Sequence, residues 1–275
     1  MKTKISSLFV TMFCMVLAAS AQNRYLMLEY VKVKPGTMGY PFIDNTCKRV
    51  QEQQSKDGSV LASTVWEVVN PKSNSPYQYI VASVFNNFND YMAEYKSADS
   101  ATFFSVSKDR FDSVSVKKGD SFEVAYGVMY EILAEAGSPG QMPKYLLSTN
   151  IKAAAGKGFA YESLEMRDWL PIHQDLIKKG YENAFNFSRL IFPPQLGAYY
   201  NYCTFRFFDD EEMFAKQDDI DYEPYMRQNQ NAFINSNSLR REVNSELLRL
   251  VAVLENGSSN NSKNNSSAKN NKHSK

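Results

Sequence analysis

Tyr77-Gln78-Tyr79-Ile80-Val81-Ala82-Ser83-Val84-Phe85 and Tyr200-Asn201-Tyr202-Cys203-Thr204-Phe205-Arg206-Phe207-Phe208 are two versions of one strand. Tyr77, Tyr79 and Phe85 of the first coincide with Tyr200, Tyr202 and Phe208 of the second. Both are rich in the β-branched and aromatic residues that suit a pleated, half-buried surface. Each follows another strand-like run, Val60–Val69 and Ala184–Phe192, with Pro71 and Pro193-Pro194 interrupting as hairpin loops do. Farther upstream, each half has a helical stretch that stops at a lysine-flanked glycine: Lys56-Asp57-Gly58 and Lys178-Lys179-Gly180. Glycine supplies the positive φ of a helix C-cap, and lysine complements the helix dipole. Opening strands come first, Tyr25-Leu26-Met27-Leu28 running to Gly36 and Tyr145-Leu146-Leu147 running to Gly156. Downstream, short amphipathic helices start at Asn87 and Asp209, and each half closes with an apolar strand, Phe122–Leu133 and Val243–Leu254.

Each half therefore reads β-α-β-β-α-β, the ferredoxin-like order, and the fold class is α+β. Such a unit carries its helices on one face of an antiparallel sheet and leaves the other face to be covered. Two independent domains would each expose an apolar sheet face, whereas two tandem units can cover one another. The expected organisation is a first unit over 22–137 and a second over 138–255, broken at Ala136-Gly137-Ser138-Pro139-Gly140. Their sheets pack as an intramolecular pseudo-dimeric barrel, and the protein is expected to be a monomer.

This element order and internal repeat resemble the dimeric α+β barrel superfamily over residues 24–254, in a tandem-duplicated, exported form. Its members include small monooxygenases, haem-degrading enzymes, chlorite dismutases and lactone isomerases. The resemblance thus implies a fold rather than one activity. It adds a small oxidoreductase of the monooxygenase or haem-handling kind as the alternative to a non-catalytic binding module. The haem-degrading members use a small set of Asn, Trp and His, of which Asn150, Trp66 and His173, drawn from different halves, are the rough analogues here.

Strand alternation assigns faces. Ile80, Ala82 and Val84, with Cys203, Phe205 and Phe207, form a uniformly apolar face expected to lie under the helices. Tyr77, Tyr79 and Ser83, with Tyr200, Tyr202, Thr204 and Arg206, form a mixed face expected to point between the sheets. Aromatic walls with a few polar tips suit a small aromatic or apolar ligand; the same tyrosines can equally fill the inter-sheet core. Trp66, Tyr79, Tyr202 and Arg206 are the candidate ligand contacts, with Trp66 also readable as a core residue. An inward Arg206 needs a carboxylate, with Glu29 or Glu67 available, or an anionic ligand. His173 shares a helix face with Trp169 and Ile177, and Pro171 is expected to break or kink that helix. As the one histidine of the body it is either a packed residue or the candidate haem ligand or acid–base group.

The ends and the charge set the context. Lys2 and Lys4, the apolar run Leu8 to Ala18, and Ala19-Ser20-Ala21 read as a leader cleaved after residue 21, giving export to the periplasm or outside the cell. That run is too short to span a bilayer. Residues 256–275, nearly all Asn, Ser and Lys, have nothing to bury and form a disordered cationic tail. Setting aside the six lysines of both ends leaves 25 basic against 30 acidic groups, which disfavours nucleic acid as a partner. Cys47 and Cys203 remain after cleavage, either as two buried thiols or as a pair. No phosphate loop, Gly-Xaa-Ser-Xaa-Gly elbow, paired metal motif or calcium loop is present, so no cofactor or metal is expected beyond haem through His173.

Overall fold

The computed structural model describes residues 24–37, 40, 43, 60–71, 75–89, 121–137 and 142–254. The expected leader, the first-half helix that ends at Gly58, most of the helix from Asn87, Cys47 and the tail lie outside these residues. Eight strands are described: β1 (Arg24–Val33), β2 (Val60–Val68), β3 (Tyr79–Phe85), β4 (Phe122–Ala136), β5 (Tyr145–Ala153), β6 (Ala184–Phe192), β7 (Tyr202–Phe208) and β8 (Arg240–Leu254). They form one closed barrel in the order β1-β3-β2-β8-β5-β7-β6-β4, every described pairing antiparallel.

The registers repeat. Tyr25↔Phe85 through Val31↔Tyr79 joins β1 to β3, and Tyr145↔Phe208 through Ile151↔Tyr202 joins β5 to β7. The ladders on the other side shift at matched places, between Tyr30 and Val31 and between Asn150 and Ile151. A barrel made from the sheets of both halves was expected, and the strand pairings show how it closes. Strand β2 pairs with β8 and β4 with β6, so both edges of each half are hydrogen-bonded to the other half. Closure removes the exposed edges that an open sheet would leave.

Outside the second half lie α1 (Gly158–Leu164), a π-helical turn (Glu165–Trp169) and α2 (Leu170–Lys178). Pro171 does not break this helix. The π turn sits just ahead of it and absorbs the missing N–H, as such bulges do. Gly180, at φ 74°, follows the C-cap as expected. Next come α3 (Glu211–Ala215), capped by Asp210 accepting from the Met213 N–H, α4 (Glu223–Gln228) and α5 (Gln230–Leu239). No helix among the described residues is long and apolar enough to cross a membrane.

The face assignment is reversed relative to expectation. Ile80, Ala82 and Val84, with Cys203, Phe205 and Phe207, belong to the core inside the barrel, together with Leu26, Trp66, Tyr130 and Leu248. Tyr202 packs outside against Tyr161 and Phe187, under the helices. The reason is volume and charge. A closed eight-strand interior admits one layer of side chains and has little means of pairing a charge. The helix-covered outer face can supply carboxylates from helices and loops. Tyr77 and Tyr200 still point inward, because both precede the first residue of their strand and escape its alternation.

Gly137 ends β4 at φ 74°, where a Cβ would stand 2.3 Å from the Asn183 carbonyl oxygen. Replacing Gly137 with Ala combines left-handed backbone strain with a backbone collision. The variant should lose about 2 kcal/mol or more, read as a lower urea midpoint at unchanged slope.

Candidate functional site

The barrel interior divides into two parts. At one end the side chains are polar aromatics. Tyr30 stacks on Tyr126 with centroids 4.2 Å apart, and Tyr77 meets Tyr30 edge-on at 4.6 Å. Tyr77 Oη donates to Glu246 Oε1 at 2.6 Å, and Asn150 Nδ2 donates to Asn244 Oδ1 at 3.1 Å. Burial pushes the Glu246 carboxyl above its ordinary range, the Tyr77 hydrogen bond opposing. This end is filled.

The other end holds a cavity of about 200 Å³. Its walls come from the seven strands β1 to β7, with Leu26, Leu28, Trp66, Val84, Phe205 and Phe207 facing the space. Trp66 is 2% exposed, and its Nε1 donates to Thr64 Oγ1 at 2.7 Å. The polar end of the indole is thus tied to its own strand, and the ring serves as an apolar wall. Polar side chains gather at the mouth, where Arg24 pairs with Glu135 and Asn186 lies beside them.

A second space of about 330 Å³ lies outside the barrel, between the second-half strands and α2, α4 and α5. Trp169, His173, Arg206, Tyr222, Phe233 and Arg240 face it. His173 lies flat on Phe185, with centroids 3.7 Å apart and planes 7° apart, and its Nδ1 is 2.6 Å from Glu182 Oε1. Glu182 Oε2 accepts from Arg206 Nε at 2.8 Å, and Arg206 also donates to Gln217. Burial pushes Glu182 up, but hydrogen bonds and charge from His173 and Arg206 outweigh it and hold the carboxyl below its usual range. Burial lowers His173, against the opposing pull of Glu182. An ionised carboxylate only accepts, so the ring proton belongs on Nδ1 and Nε2 keeps its lone pair. Arg240 lies 3.6 Å from Glu165, its Nε without a hydrogen-bond partner.

The sequence candidates are therefore dispersed. Trp66 lines the inner cavity. Tyr79 lies outside the first half, edge-on to Tyr40, and Tyr202 lies outside the second half, donating to Glu162 at 2.9 Å. These two do not face each other across the interior. Arg206 is on the outer wall with Glu182, not with Glu29 or Glu67; Glu67 pairs with Arg249. Asn150 and Trp66 are inside and His173 outside, so the three residues form no common site. Glu182, Glu135 and Arg24 were missed in the sequence, because nothing in local spacing tells which acidic residue a fold delivers to which arginine. Cys203 is a buried free thiol, pushed by burial up to about 12. No group of three or more metal-ligating side chains occurs among the described residues.

No family model matches the sequence, and no curated protein does. Solved structures match its fold. An anthrone oxidase-like protein aligns at TM-score 0.52 and 12% identity, over 85% of this chain and 93% of that one. A mutant chlorite dismutase from Candidatus Nitrospira defluvii aligns at TM-score 0.49 and 10% identity, over 83% and 91%. A haem-binding protein from Thermus thermophilus aligns at TM-score 0.44 and 7% identity, over 84% and 92%. The first of these carries the likeness, and it is one of fold: the α+β architecture of the dimeric α+β barrel proteins.

Two outcomes follow for the outer cluster. Glu182→Gln leaves the partly buried Arg206 without its carboxylate and should cost about 1.5–3 kcal/mol. His173 and Glu182 both titrate below their ordinary values of 6.5 and 4.5. Below each ordinary value the unfolded chain holds a proton that the folded chain does not, so stability falls as the pH falls. In urea titrations across pH, His173→Gln should remove the part of that fall beginning near 6.5 and also shrink the part beginning near 4.5, because His173 is the largest influence holding Glu182 down.

Proposed function

We propose that this chain is an exported, non-catalytic binding module that holds a small aromatic or apolar molecule inside its barrel. The observation that carries this reading is the inner cavity of about 200 Å³ walled by Trp66 and its apolar neighbours. An apolar cavity of about 150 Å³ in another protein stays dry and takes up benzene, so this space has the size and character for a substituted single ring. Among the described residues, the one hydroxyl in the lining, that of Thr64, accepts from the Trp66 indole, and the charged side chains that line the space stand at its mouth. Toluene titrated into the protein should change the emission of Trp66 saturably. Ala82→Leu, which fills the space from β3, should weaken toluene binding at least roughly tenfold while leaving the fold intact. Toluene binding unchanged in that variant, or no binding to the parent, would remove the reading.

The same reading includes a leader removed after residue 21 and two duplicated units, 22–137 and 138–255. The repeated registers support the duplication. A chain of residues 22–137 alone loses the partners of β2 and β4 and should fold only as a dimer, as size-exclusion chromatography with light scattering would show. A folded monomeric half would contradict it.

A second reading is favoured by one observation, the His173–Glu182 pair beside the outer space. A neutral imidazole whose other nitrogen donates to a carboxylate is the usual form of a protein ligand to iron. In that reading His173 would hold a haem iron, Arg206 and Arg240 would face its acidic side chains, and the haem would supply oxygen or redox chemistry. A haem titration that gives a Soret shift lost in His173→Ala supports it, and an unchanged spectrum removes it.

A further inference from the structure

We infer, on the reading that the inner cavity is the binding site, that its ligand is an uncharged aromatic alcohol or phenol whose hydroxyl is held by Glu135 at the mouth. The mouth is built from three polar groups on adjoining strands. Arg24 opens β1, Glu135 lies near the end of β4, and Asn186 is paired with Glu135 across the β4–β6 ladder. Arg24 is bound to Glu135 Oε2. Asn186 Nδ2 lies 3.5 Å from Glu135 Oε1, while its own Oδ1 accepts from Ser188 Oγ. A carboxylate oxygen accepts two hydrogen bonds, so Glu135 Oε1 retains room for a donor from a molecule seated against Trp66 and Phe207.

The charge of the head group follows from the same pair. Arg24 and Glu135 neutralise each other at an apolar opening, with side chains 44% and 33% exposed. A ligand carboxylate would meet the carboxylate of Glu135 there, and a ligand ammonium would compete with Arg24 for it. A hydroxyl donates to Glu135 without adding charge, and a hydrogen bond to an ionised acceptor is among the stronger ones. A hydrocarbon gains the walls alone.

The test is calorimetric titration of the full chain at pH 7.5 with four matched probes: toluene, 4-methylphenol, 4-methylbenzoate and 4-methylbenzylamine. The phenol should bind roughly tenfold tighter than toluene, and the benzoate and the amine at least roughly tenfold weaker than the phenol. Glu135→Gln leaves Arg24 without its counter-charge and should move the benzoate up relative to the phenol. Arg24→Gln should move the amine up instead. Toluene affinity retained in both variants shows that the cavity is intact. Toluene binding as tightly as 4-methylphenol, or a ranking that neither variant alters, overturns the hydroxyl assignment while leaving the cavity reading in place. Failure of all four probes on the parent protein removes the cavity reading and this inference with it.

Discussion

Everything else in this structure depends on the two seams where the halves meet edge to edge, β2 with β8 and β4 with β6. Once these ladders close, the interior is a fixed volume bounded by eight strands, and each inward side chain must share it. One end is filled by Tyr30, Tyr77, Tyr126 and Tyr130. At the other end Ala62, Ala82 and Ala184 stand where larger residues would complete the packing, and the space over them is the cavity. The cavity therefore arises from short side chains on three strands inside a rigid frame. A flexible core would collapse onto such a gap; a hydrogen-bonded barrel resists collapse through its ladders.

The filled end carries a different constraint. The hydroxyls of Tyr30, Tyr77 and Tyr130 and the Asn150 amide are buried and must find partners. Tyr77 reaches Glu246 on β8, far away in sequence, and Asn150 reaches Asn244 across the β5–β8 ladder. A one-residue slip of β8 would turn Glu246 and Asn244 to the opposite face and take them away from Tyr77 and Asn150. The polar network thus fixes the register of the closing strand.

Much of this was legible in the sequence, and the limits have physical causes. The matched strands at Tyr77–Phe85 and Tyr200–Phe208 gave the element order, because strand composition and turn residues are local signals. Gly180 after two lysines gave the helix end for the same reason. Alternation sorted the residues of β3 and β7 into two correct sets, yet it assigned the sets to the wrong sides. Period-two patterning separates faces without saying which one closes on itself, and here the more apolar set went inside. Trp66 was readable as a pocket wall or as a core residue, and the structure makes it both, buried in the inner core and facing the cavity. Arg206 was recognised as needing a carboxylate, but Glu182 sits in the turn after α2 and reaches it only through the tertiary fold.

The placement of charge explains why two spaces of such different character share one barrel wall. Phe185, on β6, borders the inner cavity and also carries the His173 ring on its outer side. Outside it, Glu182 is buried and Arg206 and His173 are partly buried, yet all are compensated, because α2 and the turns beyond it bring a carboxylate and an amide to the arginine. Among the described residues, the loop that reaches the cavity brings only Gly137 and Met142, and an arginine in its depth would have no partner to offset its desolvation. Charge therefore meets this cavity where strands end, and Arg24 with Glu135 stands at such an end. The apolar depth and the paired charges at the rim are two consequences of the same closure.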